Sequence, residues 1–215
     1  MLSAVLFDLD GTLADTDPIH FEIWQRLLLP HGFTVDQRFY DRHISGRLNQ
    51  NILADLLPQL PEAEVQQFSR DKEATFRNLA AARLCRLPGL DAWLARLQAK
   101  QMPQGLVTNA PRANAEFMLR VLNLEHAFKP IVFGEELPRG KPDPLPYTTA
   151  LEQLQLPPEQ ALVFEDSPTG VRSAVAAGIP TVGITSSHSA QTLEALGAKF
   201  AIADFNDLRL LALAA

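Results

Sequence analysis

Six short apolar runs punctuate the chain, at residues 4–7, 104–107, 130–133, 161–164, 181–184 and 200–202. Each is rich in β-branched or aromatic residues and too brief for a helix, and helical periods fill the stretches between them. Strands alternating with helices in this way predict an α/β core, a Rossmann-like doubly wound parallel sheet with helices on both faces. Two of the helices carry start and stop signals. Pro111 opens one that reads through Phe117, Met118, Val121 and Leu122; Ser167-Pro168 opens another that closes at Gly178, a left-handed C-cap.

Residues 15–87 break the rhythm. They hold no strand pattern and read as successive amphipathic helices, an α-helical cap domain inserted between core segments 1–14 and 88–215. Its first helix is expected to take Asp17 as N-cap and Pro18 in the first turn. An apolar face through Phe21, Trp24 and Leu28 leads to a stop at Gly32. A second is expected to start near Asn49 and end at Pro58, and a third to run from Glu62 through Val65, Phe68, Phe76 and Leu79. The aromatics at helical spacing are core of this lobe. Leu87-Pro88-Gly89 returns the chain to the sheet and suits a hinge.

Composition narrows the partners. At 215 residues, 47% hydrophobic and 20% charged, the chain suits one sizeable core with an accessory lobe. A formal net charge of -6 without any Lys/Arg cluster offers no footprint for nucleic acid or an anionic membrane. Cys85, the single cysteine, has no disulfide partner in the chain and no second soft ligand near it in sequence. The start shows no basic leader, and no apolar run approaches a membrane span. A soluble, cytoplasmic monomer or weak homodimer is expected.

Residues 7–17, FDLDGTLADTD, set Asp8, Asp10, Asp15 and Asp17 around a Gly-Thr pair directly after the first apolar run. In an open parallel sheet the ligand crevice lies outside the carboxyl ends of the strands. Thr108-Asn109, Lys141 and Glu165-Asp166 also follow apolar runs, so polar chemistry is expected to converge on one edge. Two unit negative charges about 6 Å apart repel by roughly 3 kcal/mol at an effective dielectric near 20. One lysine does not offset Asp8, Asp10, Glu165 and Asp166 together. A hard divalent cation held by oxygen ligands does, and Mg²⁺ suits few carboxylates with room for phosphate. Asp15 and Asp17 lie beyond the turn and are assigned to capping.

A cation beside Lys141, Thr108, Asn109 and the turn at Gly11 and Thr12 makes a pocket for a phosphate dianion. Asp8 can then attack phosphorus as a covalent nucleophile, and Asp10, two residues on and on the same side, can serve as acid and then base. The remaining histidines, His31, His43, His126 and His188, form no metal-ligand spacing.

The ordered motifs are Asp8-Leu9-Asp10-Gly11-Thr12, Thr108-Asn109, Gly140-Lys141-Pro142-Asp143-Pro144 and Glu165-Asp166-Ser167-Pro168-Thr169-Gly170. Together they resemble the four motifs of the haloacid dehalogenase (HAD) superfamily, over nearly the whole chain. The resemblance implies Asp8 as nucleophile, Asp10 as acid/base, and Thr108 and Lys141 as phosphate binders. It implies Asp8, the Asp10 carbonyl and Asp166 as Mg²⁺ ligands, with Glu165 acting through water. Within the superfamily the chain is similar to the β-phosphoglucomutase-like phosphatases, with Thr16 and His20 at hinge and cap-closure positions and Ser45-Gly46-Arg47 at the cap specificity loop. Thr12 stands where the mutases carry Val, which leans toward hydrolysis.

The expected activity is Mg²⁺-dependent hydrolysis of a small phosphorylated metabolite, such as a sugar phosphate, through an aspartyl-phosphate. Two alternatives stand beside it: a phosphosugar mutase using the same Asp8 and Asp10, and a non-catalytic phosphometabolite-binding protein. Dehalogenation is disfavoured, because the true dehalogenases lack an acid at the position of Asp10.

Overall fold

The computed structural model of the chain describes residues 2–213. They form two compact units, one spanning Thr16–Arg83 and the other made of the segments on either side of it.

The larger unit is built on six strands: β1 (Ala4–Phe7), β2 (Gln104–Thr108), β3 (Ile131–Phe133), β4 (Ala161–Glu165), β5 (Thr181–Ile184) and β6 (Phe200–Ile202). Their order is β3-β2-β1-β4-β5-β6, and every pairing is parallel. The central strands β1 and β4 are buried at every position, as expected where helices cover both faces. Their apolar runs are continuous because no position faces water. The edge strands β3 and β6 are three residues each, which limits the unpaired backbone they expose. The run at 130–133 loses its first residue from the ladder, since Pro130 has no N–H to donate; its carbonyl still accepts from Leu106 N–H at 2.9 Å.

Register fixes the level of the strand ends. Phe7 pairs with Phe164 on β4 and with Leu106 on β2, so the next residue, Asp8, stands level with Glu165 and Val107. The Phe7 and Phe164 rings stack with centroids 5.4 Å apart, and Phe205 tilts against both. Burying each such ring contributes roughly 1.5–3 kcal/mol. That aromatic packing anchors the first polar residue above it.

The smaller unit holds α1 (Asp17–Leu28), α2 (Gln37–His43), α3 (Asn49–Leu56) and α4 (Glu62–Ala80). Trp24, Leu28, Tyr40, Ile52 and Leu53 form its core, with Phe21 and Phe68 packed partly buried against them. The Asp17 N-cap is corrected: Thr16 holds that position without a side-chain cap bond, and Asp17 is the first helical residue. Its carboxylate instead accepts from Tyr40 Oη at 2.9 Å, and its charge still suits the positive end of the helix dipole. Helix α1 ends in a 3₁₀ turn, Leu29–His31, closed by Gly32 in the left-handed region. The seven-residue α2 was not expected. Its signal is Asp36, whose side chain accepts from Phe39 N–H.

Helices α5 (Leu90–Ala99), α6 (Arg112–Val121), α7 (Leu145–Leu154), α8 (Pro168–Ala176), α9 (Ala190–Ala195) and α10 (Arg209–Leu213) complete the larger unit. Pro88-Gly89 lies inside this unit as a packed turn, and Phe205 N–H donates to the Pro88 carbonyl at 2.9 Å. Among the described residues no helix is long and apolar enough to cross a membrane.

Candidate active site

Asp8 follows β1, Glu165 ends β4, and between them Lys141 arrives on the loop after β3. Its ammonium donates to Asp8 Oδ1 at 2.7 Å, to Glu165 Oε1 at 2.6 Å and to the Val107 carbonyl at 2.7 Å. Those three bonds use all three N–H donors of a lysine. The lysine loop is held from behind by Asn109. Its side-chain oxygen accepts from Lys141 N–H at 3.0 Å and its amide nitrogen donates to the Lys141 carbonyl at 3.0 Å. Asn109 therefore spends its amide on positioning Lys141.

Glu165 is wholly buried. Besides Lys141, its Oε1 accepts from Tyr147 Oη at 2.9 Å, and its Oε2 lies 3.4 Å from Ser167 N and 3.3 Å from Ser167 Oγ. Ser167 is also the N-cap of α8, accepting from Gly170 N–H at 3.0 Å. A Cβ on Gly170 would come within 1.8 Å of Glu165 Oε1, so a residue without a side chain is required where the helix starts over the carboxylate. Tyr147 was missed from sequence. It shows there only as an apolar position of a helix, and its hydroxyl gains a partner through tertiary packing alone.

The electrostatics are one-sided. Burial works against the Lys141 charge, but Asp8 and Glu165 outweigh it and push the ammonium up to about 12. Burial pushes the Asp8 carboxyl up to about 7; Lys141 opposes this, while Glu165 and Asp10 add to it. One ammonium faces two carboxylates, so the lysine stays charged and the acids are the under-compensated side. Burial, then Glu165 and Asp8, keep the Tyr147 phenol well above its ordinary value, and it remains a donor.

Asp8, Glu165 and Asp166 are all buried and each offers one oxygen, these lying within 4.8 Å of one another. Three carboxylates against one fully used ammonium fit a hard divalent cation. A second observation agrees: a Cβ on Gly11, whose φ is +75°, would stand 2.1 Å from Asp166 Oδ2, so the turn after Asp8 is pressed against this acid. The Asp10 carboxylate is outside the group of three. Asp10 itself is half-buried and bridges to Ala14.

Thr108 is buried, and its Oγ accepts from Ala110 N–H at 2.9 Å, which leaves the hydroxyl proton to be donated. The Gly11 N–H donates to the Ala14 carbonyl at 2.8 Å and the Thr12 N–H to the Leu9 carbonyl at 3.3 Å, so both amides are used inside the turn. The Thr12 hydroxyl is buried without a hydrogen-bond partner. Thr16, His20 and Arg47 belong to the smaller unit. There the Thr16 carbonyl accepts from Ile19 and His20 N–H, His20 stacks on Phe76 with centroids 4.3 Å apart, and Arg47 pairs with Asp55 at 2.5 Å and with the His43 carbonyl at 2.9 Å.

The chain is similar to known proteins in sequence and in fold. The chain is 35% identical over 195 residues to the validoxylamine A 7'-phosphate phosphatase of Streptomyces hygroscopicus subsp. limoneus, covering 90% of each chain. It is 34% identical over 182 residues to the phosphorylated carbohydrates phosphatase of Thermotoga maritima, covering 84% of each. The crystal structure of CbbY from Rhodobacter sphaeroides in complex with phosphate superposes with a TM-score of 0.84 at 25% identity, over 97% of this chain and 96% of that one. The family model of the haloacid dehalogenase-like hydrolases matches residues 5–184, most of the chain, and the protein belongs to that family.

Proposed function

We propose that this phosphoric monoester hydrolase is a Mg²⁺-dependent phosphatase of small phosphorylated sugars or related metabolites, working through a phosphorylated Asp8. The observation that carries the reading is the grouping of the Asp8, Glu165 and Asp166 carboxylates, of which Asp8 and Glu165 share a single ammonium. One relative is named as a phosphatase of phosphorylated carbohydrates and another as a phosphatase of validoxylamine A 7'-phosphate, which supports a small phosphorylated metabolite as substrate.

Asp8 and Asp166, with the Asp10 carbonyl and with Glu165 through water, would hold the cation. When bound it supplies the counter-charge that keeps Asp8 ionised and the phosphate polarised. Lys141 holds Asp8 Oδ1 and so steadies the carboxylate that attacks phosphorus. In the first step the Asp8 Oδ–P bond forms and the P–O bond to the alcohol breaks, while Asp10 gives its proton to the leaving oxygen. In the second step Asp10 takes a proton from water as the water oxygen bonds to phosphorus. The acyl phosphate P–O bond then breaks, releasing inorganic phosphate and restoring Asp8. Thr108 donates to a phosphoryl oxygen. The helical unit Thr16–Arg83, which holds His20 and Arg47, is read as the cap domain of this family.

The test is phosphate release from a panel of several dozen phosphometabolites with Mg²⁺, repeated with Asp8→Asn. Turnover of a sugar phosphate by the wild type and its loss in the variant are expected. Isomerisation of β-glucose 1-phosphate without net phosphate release would establish the mutase instead. Binding with no turnover of any kind would establish a sensor.

A further inference from the structure

The loop after β5 reads Thr185-Ser186-Ser187-His188-Ser189 and lies outside the four sequence motifs. Its side chains nevertheless reach two of the segments that carry the site. Ser186 Oγ donates to the Gly11 carbonyl at 2.5 Å. Ser187 Oγ makes a short hydrogen bond to Asp166 Oδ2 and lies 3.3 Å from the Asp166 carbonyl. On its other side Ser187 Oγ is 3.0 Å from His188 Nδ1. All of these groups are in the larger unit.

A hydroxyl has one proton. The short contact to a carboxylate oxygen is the charge-assisted bond and takes it. The ring nitrogen then faces a lone pair of Oγ, so Nδ1 must carry hydrogen and donate to the serine. His188 thereby holds the Ser187 hydroxyl with its proton turned to Asp166. The corner is also sterically tight: a Cβ on Gly11 would meet Asp166 Oδ2 at 2.1 Å and Ser186 Oγ at 3.1 Å.

We propose that Ser186, Ser187 and His188 are positioning residues for the divalent cation, Ser187 fixing the rotation of the Asp166 carboxylate and Ser186 fixing the Gly11 turn beside it. This rests on the cation reading above. Groups that orient a metal-ligating carboxylate change metal affinity by about 10–100-fold when removed, because the ligand must be ordered at the moment of binding. Removing the Ser187 hydroxyl takes away this restraint on the Asp166 carboxylate.

The experiment titrates Mg²⁺ against the thermal midpoint of the full chain and Mn²⁺ against its paramagnetic resonance signal, so that affinity is read without turnover. Wild type, Asp166→Asn, Ser187→Ala, Ser187→Thr and His188→Ala are compared. Saturable binding is expected in the wild type and none in Asp166→Asn. Ser187→Ala should need about tenfold more cation, Ser187→Thr should recover most of the affinity, and His188→Ala should fall between wild type and Ser187→Ala. The midpoint without cation should stay near that of the wild type in Ser187→Ala. Equal affinity of wild type and Ser187→Ala, with Asp166→Asn inactive in binding, would overturn this inference and leave the cation reading intact. Absence of binding by the wild type would overturn both. Should Ser187→Ala fail to fold, unchanged affinity in His188→Ala decides against the proposal.

Discussion

Each unit of this protein buries a lysine among polar partners, and the two clusters differ in one respect that separates them chemically. In the smaller unit Lys72 donates to Glu73 Oε1 at 2.8 Å, and the same oxygen accepts from Asn49 at 2.6 Å. The lysine lies 5.9 Å from the Trp24 centroid and 6.0 Å from that of Phe76, on which His20 stacks. Burial works against the Glu73 charge, but Lys72 and His20 outweigh it and hold the carboxyl below its ordinary value. The single carboxylate there is more than matched by Lys72 with His20 beside it. In the larger unit one cation meets Asp8 and Glu165, with Asp166 alongside, and the Asp8 carboxyl is pushed up. A balanced buried cluster is complete by itself; an unbalanced one calls for a further positive charge. Both lysines are buried, so burial alone does not separate the two clusters; their charge balance does.

The widest gap between the clusters should appear when each lysine is removed. Lys141→Met strands two buried carboxylates and should destabilise the chain by about 3–5 kcal/mol at pH 8, the range for breaking a buried pair. In a chain of this size that is a fall in thermal midpoint on the order of 10 °C. Lys72→Met leaves Glu73 with Asn49 and His20 and should cost less. An equal or larger loss in Lys72→Met, followed by calorimetry, would break the comparison.

Opposite pH dependences should sharpen it. Because the Asp8 carboxyl is raised, its contribution is present below the ordinary aspartate range and lost as pH rises through about 7. Because Glu73 is lowered, its contribution is present above the ordinary glutamate range and lost as pH falls through its depressed value. Urea denaturation of the cation-free chain should therefore show a loss of stability from pH 5 to pH 8 that Asp8→Asn removes. A loss below pH 5 should be removed by Glu73→Gln. Saturating Mg²⁺ should flatten the first slope and leave the second.

Tyr147→Phe removes one donor from the buried Glu165 and should cost about 1–3 kcal/mol. If the hydroxyl acts through Glu165, turnover falls with KM unchanged and the effect disappears in a Glu165→Gln background. Independent, additive losses would assign Tyr147 to packing. The smallest effect is a gain. Thr12→Val replaces a buried hydroxyl without a partner by a methyl group of similar shape, and should raise stability by up to about 1 kcal/mol in thermal melts.

The six strands were legible to within a residue because a parallel sheet covered on both faces needs unbroken apolar runs. The proline at 130 shifted one boundary for want of an N–H. The two long helices α1 and α4 were legible from their periods, while α2 was too short for a period to form. Of the groups at the candidate site, Asp8, Glu165 and Asp166 were legible as acids placed at strand ends, since strand ends share one edge. Tyr147 and Ser187 were not, because an aromatic on a helix and a serine in a loop look the same with or without a partner.

What the sequence determined by itself is the alternation of strand and helix and the set of acids delivered to one edge, both consequences of local periodicity and chain order. Only the tertiary structure decided which of those acids share the Lys141 ammonium, because that depends on register. Phe7 beside Phe164 sets Asp8 level with Glu165, and the Asn109 clamp brings Lys141 between them across a separation of 133 residues. Charge balance is a sum over neighbours in space, and no local pattern along the chain carries that sum.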